Sequence, residues 1–314
     1  MKSAALRPQQ LHAAVHWRVE PPFAMDASSI HEQVALSGRL AGAQLRETLQ
    51  ATGFAAEALL VSSTVMTAAV TMQPAGEALF FDAIEAGCGL RPQGIVNAYM
   101  CTGWGYALRH WMRHTAVRRV AVAIVDLDPH NLAWQQHHPV IGPSGFGVTT
   151  LLFTLPEARD GWPRCSGPHP NSAFTDLVMA LRLYQAQHGA VPTFIPFMLP
   201  ELSGTAERLL AQDLLGPNRN AQLGHCFGAD PWIGIIEWFS ARGLLAPQTV
   251  LAGALAFNGY YTFAPVALDP LTRLQFRRIG GDVASLEAAI TGLPLHPSAT
   301  VPDPSLHEEL ETHA

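Results

Sequence analysis

The sequence is 314 residues long, which is enough for one large domain or two similar ones. Hydrophobic residues make up 48% of the chain and charged residues 14%, so a sizeable core can form and global disorder is excluded. The formal net charge of -6 argues against nucleic acid as the main partner, because phosphate binding needs clustered Lys and Arg.

The cysteines and the apolar segments indicate where in the cell the protein is found. Four cysteines without regular spacing indicate neither a disulfide framework nor a zinc site, and we predict no bound metal. The N-terminus lacks the apolar region of a signal peptide, and no run reaches the roughly 18 apolar residues of a membrane span. We therefore expect a cytoplasmic protein that does not enter a membrane.

Helical and strand patterns alternate along the first part of the chain. An N-terminal arm over residues 1–30 contains one possible strand, and a first half is expected over residues 31–160. The predicted strands of these two segments lie at 11–19, 58–63, 94–100, 119–125 and 145–155, and the helices at 29–52, 75–87 and 103–115. Strands that alternate with helices predict an α/β fold with mostly parallel strands.

The pattern restarts after a Gly- and Pro-containing linker at residues 161–170. We predict a second half over 161–269, with helices at 172–188, 204–215 and 231–242 and strands at 191–199, 249–257 and 261–268. The second half repeats the style of the first, which favours an internal duplication although the residues are not visibly repeated. A Pro-containing tail, expected to be mobile, follows at 270–314.

Cys101 is the first candidate for chemistry. A predicted strand runs into Met100-Cys101-Thr102-Gly103, and a helix starts at once behind it. A thiol at a glycine-flanked helix N-terminus is favoured as a thiolate, because backbone N–H groups and the helix dipole stabilise the charge. The alternative is a small buried hydrophobic residue, which describes most free cysteines.

His225 is the second candidate, in the stretch Gly224-His225-Cys226 just before the helix at 231–242. Paired with Cys101, it would form a thiolate–imidazolium dyad of the kind used in covalent catalysis. By itself, a histidine is more often structural or exposed. Asp230 could orient His225 but fits equally well as a helix N-cap, and Cys226 could be a second reactive thiol or a packed small residue.

A tight turn between the last two predicted strands supplies the third candidate. Gly259 lies in Ala256-Phe257-Asn258-Gly259-Tyr260, where a glycine lets a backbone N–H approach a ligand closely. Together with the Cys101 amide, the Gly259 amide could form an oxyanion hole.

These three stretches, in this order, resemble the thiolase superfamily and, more narrowly, the ketoacyl-ACP synthase III proteins. The resemblance covers roughly residues 31–268 and includes the run from Met100 to Leu108, the turn at 142–147 and the stretch from Ala256 to Phe263. It implies a thiolase-like fold of two duplicated βαβαβ-type halves in a layered α-β-α-β-α arrangement.

The resemblance also implies a function. The protein would be an acyltransferase or condensing enzyme acting on acyl-CoA or acyl-carrier-protein thioesters, in a specialised fatty-acid or polyketide-type pathway. Cys101 would carry the acyl group, His225 would be the base and Gly259 the second oxyanion donor. Phe197, Asn258 and Trp104 are the predicted substrate contacts. The family forms dimers, which implies a homodimer or a heterodimer with a homologue, and no permanently bound cofactor is expected.

Two departures from the family pattern affect the expected reaction. Gly224-His225-Cys226 stands where the family has Gly-Asn-Thr, whereas Gly-His is typical of thiolases and elongating ketosynthases at this point. Phe197 stands where the family has its other histidine, and losing one donor at an oxyanion site costs about 10²–10³ in rate. Decarboxylative condensation is therefore disfavoured, while simple acyl transfer or an unusual acceptor stays open.

Two alternatives remain at this point. The first is a catalytically silent subunit that pairs with an active homologue, which Phe197 favours and the retention of Cys101 and His225 opposes. The second is a non-decarboxylating thiolase-like reaction, which the Gly-His pair suggests and the lack of a second clear catalytic cysteine opposes.

Overall fold

The computed structural model describes residues 8–139, 141–157, 163–169, 171–210 and 212–292. The strands are β1 (Gln9–Val19), β2 (Ala58–Ser62), β3 (Pro92–Val96), β4 (Arg119–Asp126), β5 (His137–His138), β6 (Gly142–Pro143), β7 (Phe146–Thr154), β8 (Arg164–Ser166), β9 (Thr193–Phe194), β10 (Gln248–Leu255), β11 (Tyr261–Leu268) and β12 (Arg273–Ile279). The helices are α1 (Ile30–Thr52), α2 (Thr67–Val70), α3 (Gly76–Cys88), α4 (Gly103–His114), α5 (Ala133–Gln136), α6 (Ala173–His188), α7 (Pro200–Leu209), α8 (Asn220–Leu223), α9 (Asp230–Arg242) and α10 (Val283–Thr291).

The strand β1 joins the two halves of the chain. The main sheet runs in the order β3-β2-β4-β7-β1-β11-β10-β9, with β12 paired to β1 and β8 paired to β11. Along most of its length β1 pairs antiparallel with β7 on one side and parallel with β12 on the other. Its first residues pair with β11 of the second half. The hydrogen bonding is therefore continuous from one half to the other.

Burial along the strands divides the molecule into five layers. Alternate residues of a strand point to opposite faces of the sheet. In β4, Ala121 and Ala123 pack toward α1 and α3, whereas Val120 and Val122 face a central cluster that contains α4 and α9. In β10, Val250 faces that central cluster, and Leu251 faces α6 and α7. The order helix, sheet, helix, sheet, helix confirms the predicted thiolase-like α/β arrangement.

The longest predicted helix has the capping residues expected from its sequence. The side chain of Ser29 accepts a hydrogen bond from the Glu32 N–H at 3.2 Å at the start of α1. Gly53 ends the helix in the left-handed region with φ 62°, which a glycine adopts without steric cost. The helix predicted at 29–52 is therefore confirmed.

Several predicted elements are shorter or shifted. The strand predicted at 94–100 is β3 and ends at Val96, and the helix predicted at 204–215 is α7, which runs from Pro200 to Leu209. The strand predicted at 191–199 is reduced to β9, two residues between Pro192 and Pro196. A proline cannot donate a hydrogen bond to a sheet, so the two prolines limit the pairing.

The prediction of a mobile tail from residue 270 is wrong for residues 270–292, and residues 293–314 lie outside the described residues. The strand β12 pairs with β1, and α10 packs on α1 through Leu286, which is fully buried. β12 carries three arginines. The guanidinium of Arg277, however, lies 5.0 Å from the ring centre of Trp17, so a charged residue covers apolar surface.

Two glycines of the chain offer a stability test of how α4 packs. A Cβ added at Gly105 would overlap the side chain of Thr262, which is fully buried on β11. Gly105→Ala is therefore expected to lower the free energy of unfolding by about 1–3 kcal/mol. The control Gly204→Ala, in α7, meets no atom within 4 Å and should stabilise the protein by up to about 1 kcal/mol. Denaturant unfolding measures both, and equal effects would contradict the packing.

Across the part of the chain that the structure describes, no helix is both long and apolar enough to cross a membrane.

Candidate active site

Cys101 lies at a strained turn between β3 and α4. The turn is one 3₁₀ segment, Met100–Thr102, and Met100 adopts φ 48°, in the left-handed region that non-glycine residues seldom occupy. Such strain persists only where the surroundings fix it, and it is common at functional sites. Gly103 makes this fit possible, because a side chain there would overlap Ser62 and the Val96 carbonyl. Cys101 itself is 4% exposed.

His225 is held by main-chain hydrogen bonds to the turn at residues 142–147. Its N–H donates to the Pro143 carbonyl at 2.8 Å, and its carbonyl accepts from the Gly145 N–H at 2.9 Å. Gly224 before it has φ 73°, and Phe227 after it has φ 54°. The turn that the sequence matched to the family therefore positions His225.

The structure brings Cys101 and His225 together and adds Asp230. The Cys101 Sγ lies 3.6 Å from His225 Nε2. On the other side of the ring, His225 Nδ1 lies 2.6 Å from Asp230 Oδ2 and 3.2 Å from the Phe197 carbonyl oxygen. A nucleophile, a base and an orienting group in line form the arrangement of a catalytic triad.

The charge on Asp230 decides the protonation of His225. Burial acts to lower the pKa of His225, but the Asp230 carboxylate beside Nδ1 outweighs it, and the pKa is raised well above its ordinary value. The two Asp230 oxygens also accept from the Cys226 N–H at 2.6 Å and the Phe197 N–H at 2.9 Å. At neutral pH His225 therefore holds a proton at Nε2, facing the sulfur of Cys101.

Asp230 is the functional residue that the sequence alone left undecided. It is the first residue of α9, and the N-cap position is Ala229, which has no side-chain capping bond. Its carboxylate binds backward, to His225 and to main-chain groups of earlier residues, and not to the first N–H groups of its own helix. The orienting role is therefore the one that the structure supports.

Phe197 supports the triad through its main chain. Its N–H donates to Asp230 and its carbonyl oxygen contacts the His225 ring. The side chain is 1% exposed and packs in a small apolar cluster with Leu223 and Ile233. Phe197 brings no side-chain donor to the site, and its contact with substrate stays a prediction.

Cys226 is packed beside the triad and is not a second reactive thiol. It is 1% exposed and lies in the same apolar cluster as Phe197. Burial raises the pKa of its thiol, which keeps it protonated and unreactive at neutral pH. Of the two readings for Cys226, the structure therefore supports the packed small residue.

Trp104 is a predicted substrate contact, and the structure places its side chain in the core. The side chain is fully buried in the central cluster, where its ring meets that of Trp232 edge to face at 4.9 Å. It follows Cys101 by less than one helical turn, but α4 directs it into the core.

The burial of Trp104 predicts an effect on stability. Trp104→Ala removes a large buried side chain and should lower the free energy of unfolding by about 3–5 kcal/mol. Trp134, which is 60% exposed, is the control, and Trp134→Ala should change that free energy by less than about 0.5 kcal/mol. A Trp104→Ala protein as stable as the control variant would contradict the packing of Trp104 in the core.

The turn after β10 lies next to the turn of Cys101, but its amide is already engaged. Asn258 Nδ2 donates to the Ala98 carbonyl oxygen at 3.0 Å, which ties this turn to the approach of Cys101. The Gly259 N–H donates to the Ala256 carbonyl oxygen at 2.9 Å. The Gly259 N–H therefore has an acceptor within its own turn, and the oxyanion role of Gly259 stays a prediction. The Asn258 side chain, predicted to bind substrate, is exposed but committed to Ala98.

A groove of about 710 Å³ lies elsewhere, between β3 and the outer face of α4. Tyr99, Arg109, Trp111 and Arg113 are among the residues that line it, and Cys101 is not. In the part of the chain that the structure describes, no group of three or more His, Cys, Asp or Glu side chains could hold a metal ion.

Solved structures share this fold. The 3-oxoacyl-(acyl carrier protein) synthase III of Pseudomonas aeruginosa matches with a TM-score of 0.58 and 13% identity over 84% of this chain and 98% of its own. The priming β-ketosynthase of the R1128 polyketide pathway matches with a TM-score of 0.56 and 12% identity, over 86% and 99% of the two chains. ChlB3, named as an acyltransferase, matches with a TM-score of 0.59 and 11% identity, over 85% and 99%.

These likenesses define the fold as that of the ketoacyl-ACP synthase III-like branch of the thiolase fold, in a divergent form. No protein-family model matches the sequence. No curated protein matches it either. The fold is the one found in condensing enzymes and acyltransferases.

Proposed function

We propose that the protein is an acyltransferase or condensing enzyme that takes an acyl group from a CoA or carrier-protein thioester onto Cys101. The observation that carries this proposal is the 3.6 Å approach of Cys101 Sγ to His225 Nε2, with Asp230 behind the ring at 2.6 Å. The structures with the same fold are condensing enzymes and acyltransferases, which supports the same class of reaction.

The first half-reaction follows from the position of the proton. The Cys101 thiolate attacks the thioester carbonyl carbon, and the Cys101 N–H, which has no acceptor among the described residues, faces the developing oxyanion. The bond from the carbonyl carbon to the donor sulfur breaks. His225 Nε2 then gives its proton to the leaving thiolate, and the acyl group remains on Cys101 while His225 becomes neutral.

The setting of the reaction is part of the proposal. The polyketide priming ketosynthase and the synthase III structures support a place in specialised fatty-acid or polyketide-type biosynthesis. We further propose a cytoplasmic homodimer, or a heterodimer with a homologue.

Intact-protein mass spectrometry tests the acyl-enzyme. After incubation with a panel of acyl-CoA and acyl-carrier thioesters, the wild-type protein should gain the mass of one acyl group. Cys101→Ala should gain none, whereas Cys226→Ala removes the neighbouring buried thiol but leaves its main-chain N–H in place and should still be labelled.

Phe197 keeps one second candidate open, a silent subunit that partners an active homologue. Its buried apolar side chain supplies no donor where condensation would need one. The absence of an adduct on the wild-type protein across the whole panel would support that candidate and would end the acyl-enzyme proposal.

A further inference from the structure

We infer that the acceptor of the acyl group is a hydroxyl or an amine, and not a carbon nucleophile formed by decarboxylation. This inference rests on the proposed function and specifies its second half-reaction. It is carried by what Asp230, His225 and the main chain around Phe197 do in the structure.

His225 is positioned to act as the base of the second half-reaction. Once the donor thiol has left with its proton, His225 Nε2 is unprotonated and lies 3.6 Å from the sulfur that carries the acyl group. Asp230 and the Phe197 carbonyl oxygen hold Nδ1, so the free nitrogen keeps this direction. An O–H or N–H acceptor must lose a proton as it attacks, and a base held in this way takes it. A carbanion made by loss of carbon dioxide takes its electron pair from a C–C bond and needs no base.

The main-chain N–H groups around the triad do not suit decarboxylation. Decarboxylation places a negative charge on a second thioester oxygen, which needs donors of its own. The Phe197 and Cys226 N–H groups donate to Asp230, and the Gly259 N–H donates to Ala256. The Phe197 side chain has no polar atom. Each of these three N–H groups already has an acceptor, so none of the three is free to stabilise an enolate.

The charge on Asp230 disfavours a negatively charged acceptor. Asp230 is fully buried, and among the described residues its ion-pair partner is His225, at 2.6 Å. When His225 becomes neutral after the first half-reaction, the site has one uncompensated negative charge. An acceptor that carries a carboxylate would add a second negative charge at that stage, whereas an alcohol or a neutral amine adds none.

The second half-reaction then balances without a further reactant. The acceptor oxygen or nitrogen attacks the acyl carbon, and its proton moves to His225 Nε2. The new C–O or C–N bond forms as the bond from the acyl carbon to the Cys101 sulfur breaks. The products are an ester or an amide, and the site returns to a Cys101 thiolate beside a protonated His225.

The test is a chase of the isolated acyl-enzyme. The butyryl adduct is formed from butyryl-CoA, freed of excess donor, and mixed with 1-butanol, butylamine, malonyl-CoA or buffer alone. We expect the alcohol or the amine to discharge the adduct at least about 10-fold faster than buffer, with ester or amide as the product, because a positioned base contributes about 10²–10⁴ in rate. Malonyl-CoA should leave the adduct in place and release no carbon dioxide.

Discharge by malonyl-CoA with one carbon dioxide per adduct would overturn the inference, as would discharge by water alone in every sample. Either result would leave the acyl-enzyme itself standing. If the protein forms no adduct from butyryl-CoA or from any other thioester of the panel, the proposed function itself is refuted. The two failures are therefore distinguishable in one experiment.

Discussion

Asp230→Asn is expected to slow acyl transfer by about 10⁴, the loss seen when the carboxylate of a catalytic triad becomes an amide. Asp230 holds Nδ1 of His225 at 2.6 Å and keeps the pKa of the ring well above its ordinary value. Without that charge, burial lowers the pKa of His225, and the ring no longer draws the proton from Cys101.

The dependence of the rate on pH separates this role from a merely structural one. Adduct formation by the wild-type protein should change little through neutral pH, since His225 keeps its proton there. In Asp230→Asn the rate should rise with pH, because hydroxide must then take the thiol proton. Asp176→Asn makes the same change in a surface pair, 3.9 Å from His169, and should leave the profile unaltered. Parallel profiles for the two variants would show that Asp230 only stabilises the fold.

Acid should unfold the protein through His16. This residue is 1% exposed on β1, its Nδ1 lies 2.8 Å from Thr149 Oγ1, and its Nε2 has no partner in the described structure. Burial, aided by the nearby Arg18 charge, lowers the pKa of His16 to about 3. Because this pKa is lower in the folded state than in the unfolded chain, the stabilisation is complete above about pH 6.5 and is lost as the pH falls toward 3.

The size of the His16 effect can be measured by comparing slopes. Each pH unit between about 6 and 4 should remove about 1.4 kcal/mol from the free energy of unfolding, or about 3 kcal/mol by pH 4.5. His16→Asn cannot titrate, so its free energy should fall less steeply, whatever its stability at neutral pH. His31→Asn, at an exposed position of α1, serves as the control and should follow the wild type. Equal slopes for His16→Asn and the wild type would exclude His16 as the cause.

The sequence was most informative where the chemistry is local. A glycine-flanked thiol at the start of a helix and a histidine after a glycine each have a recognisable pattern, and the structure places Cys101 and His225 side by side. The alternation of helices and strands likewise predicted the layers, because burial on both faces of a strand leaves a continuous apolar run such as that of β4.

Contacts between distant segments could not be predicted in this way. An aspartate before Pro231 suits a helix cap as well as it suits a partner for His225, and only the folded chain decides between them. The direction of the Trp104 side chain could not be predicted for the same reason. The spacing of apolar residues along α4 does not say which neighbouring element each of its faces contacts. The strand β12 was missed because a charged residue, Arg277, covers the ring of Trp17, and a hydrophobic pattern does not register such a contact.

The central place of β1 has a consequence for how the chain folds. Trp17 lies opposite Val148 on one side and Arg277 on the other, so β1 has both neighbours far downstream in the chain. Pairings between residues so distant in sequence are slow to form, because a long loop must close before any contact compensates for its lost entropy. During synthesis, one edge of β1 can pair once β7 has emerged, but the other stays open until β12 has emerged, up to residue 279. The sheet is not expected to be complete before that moment.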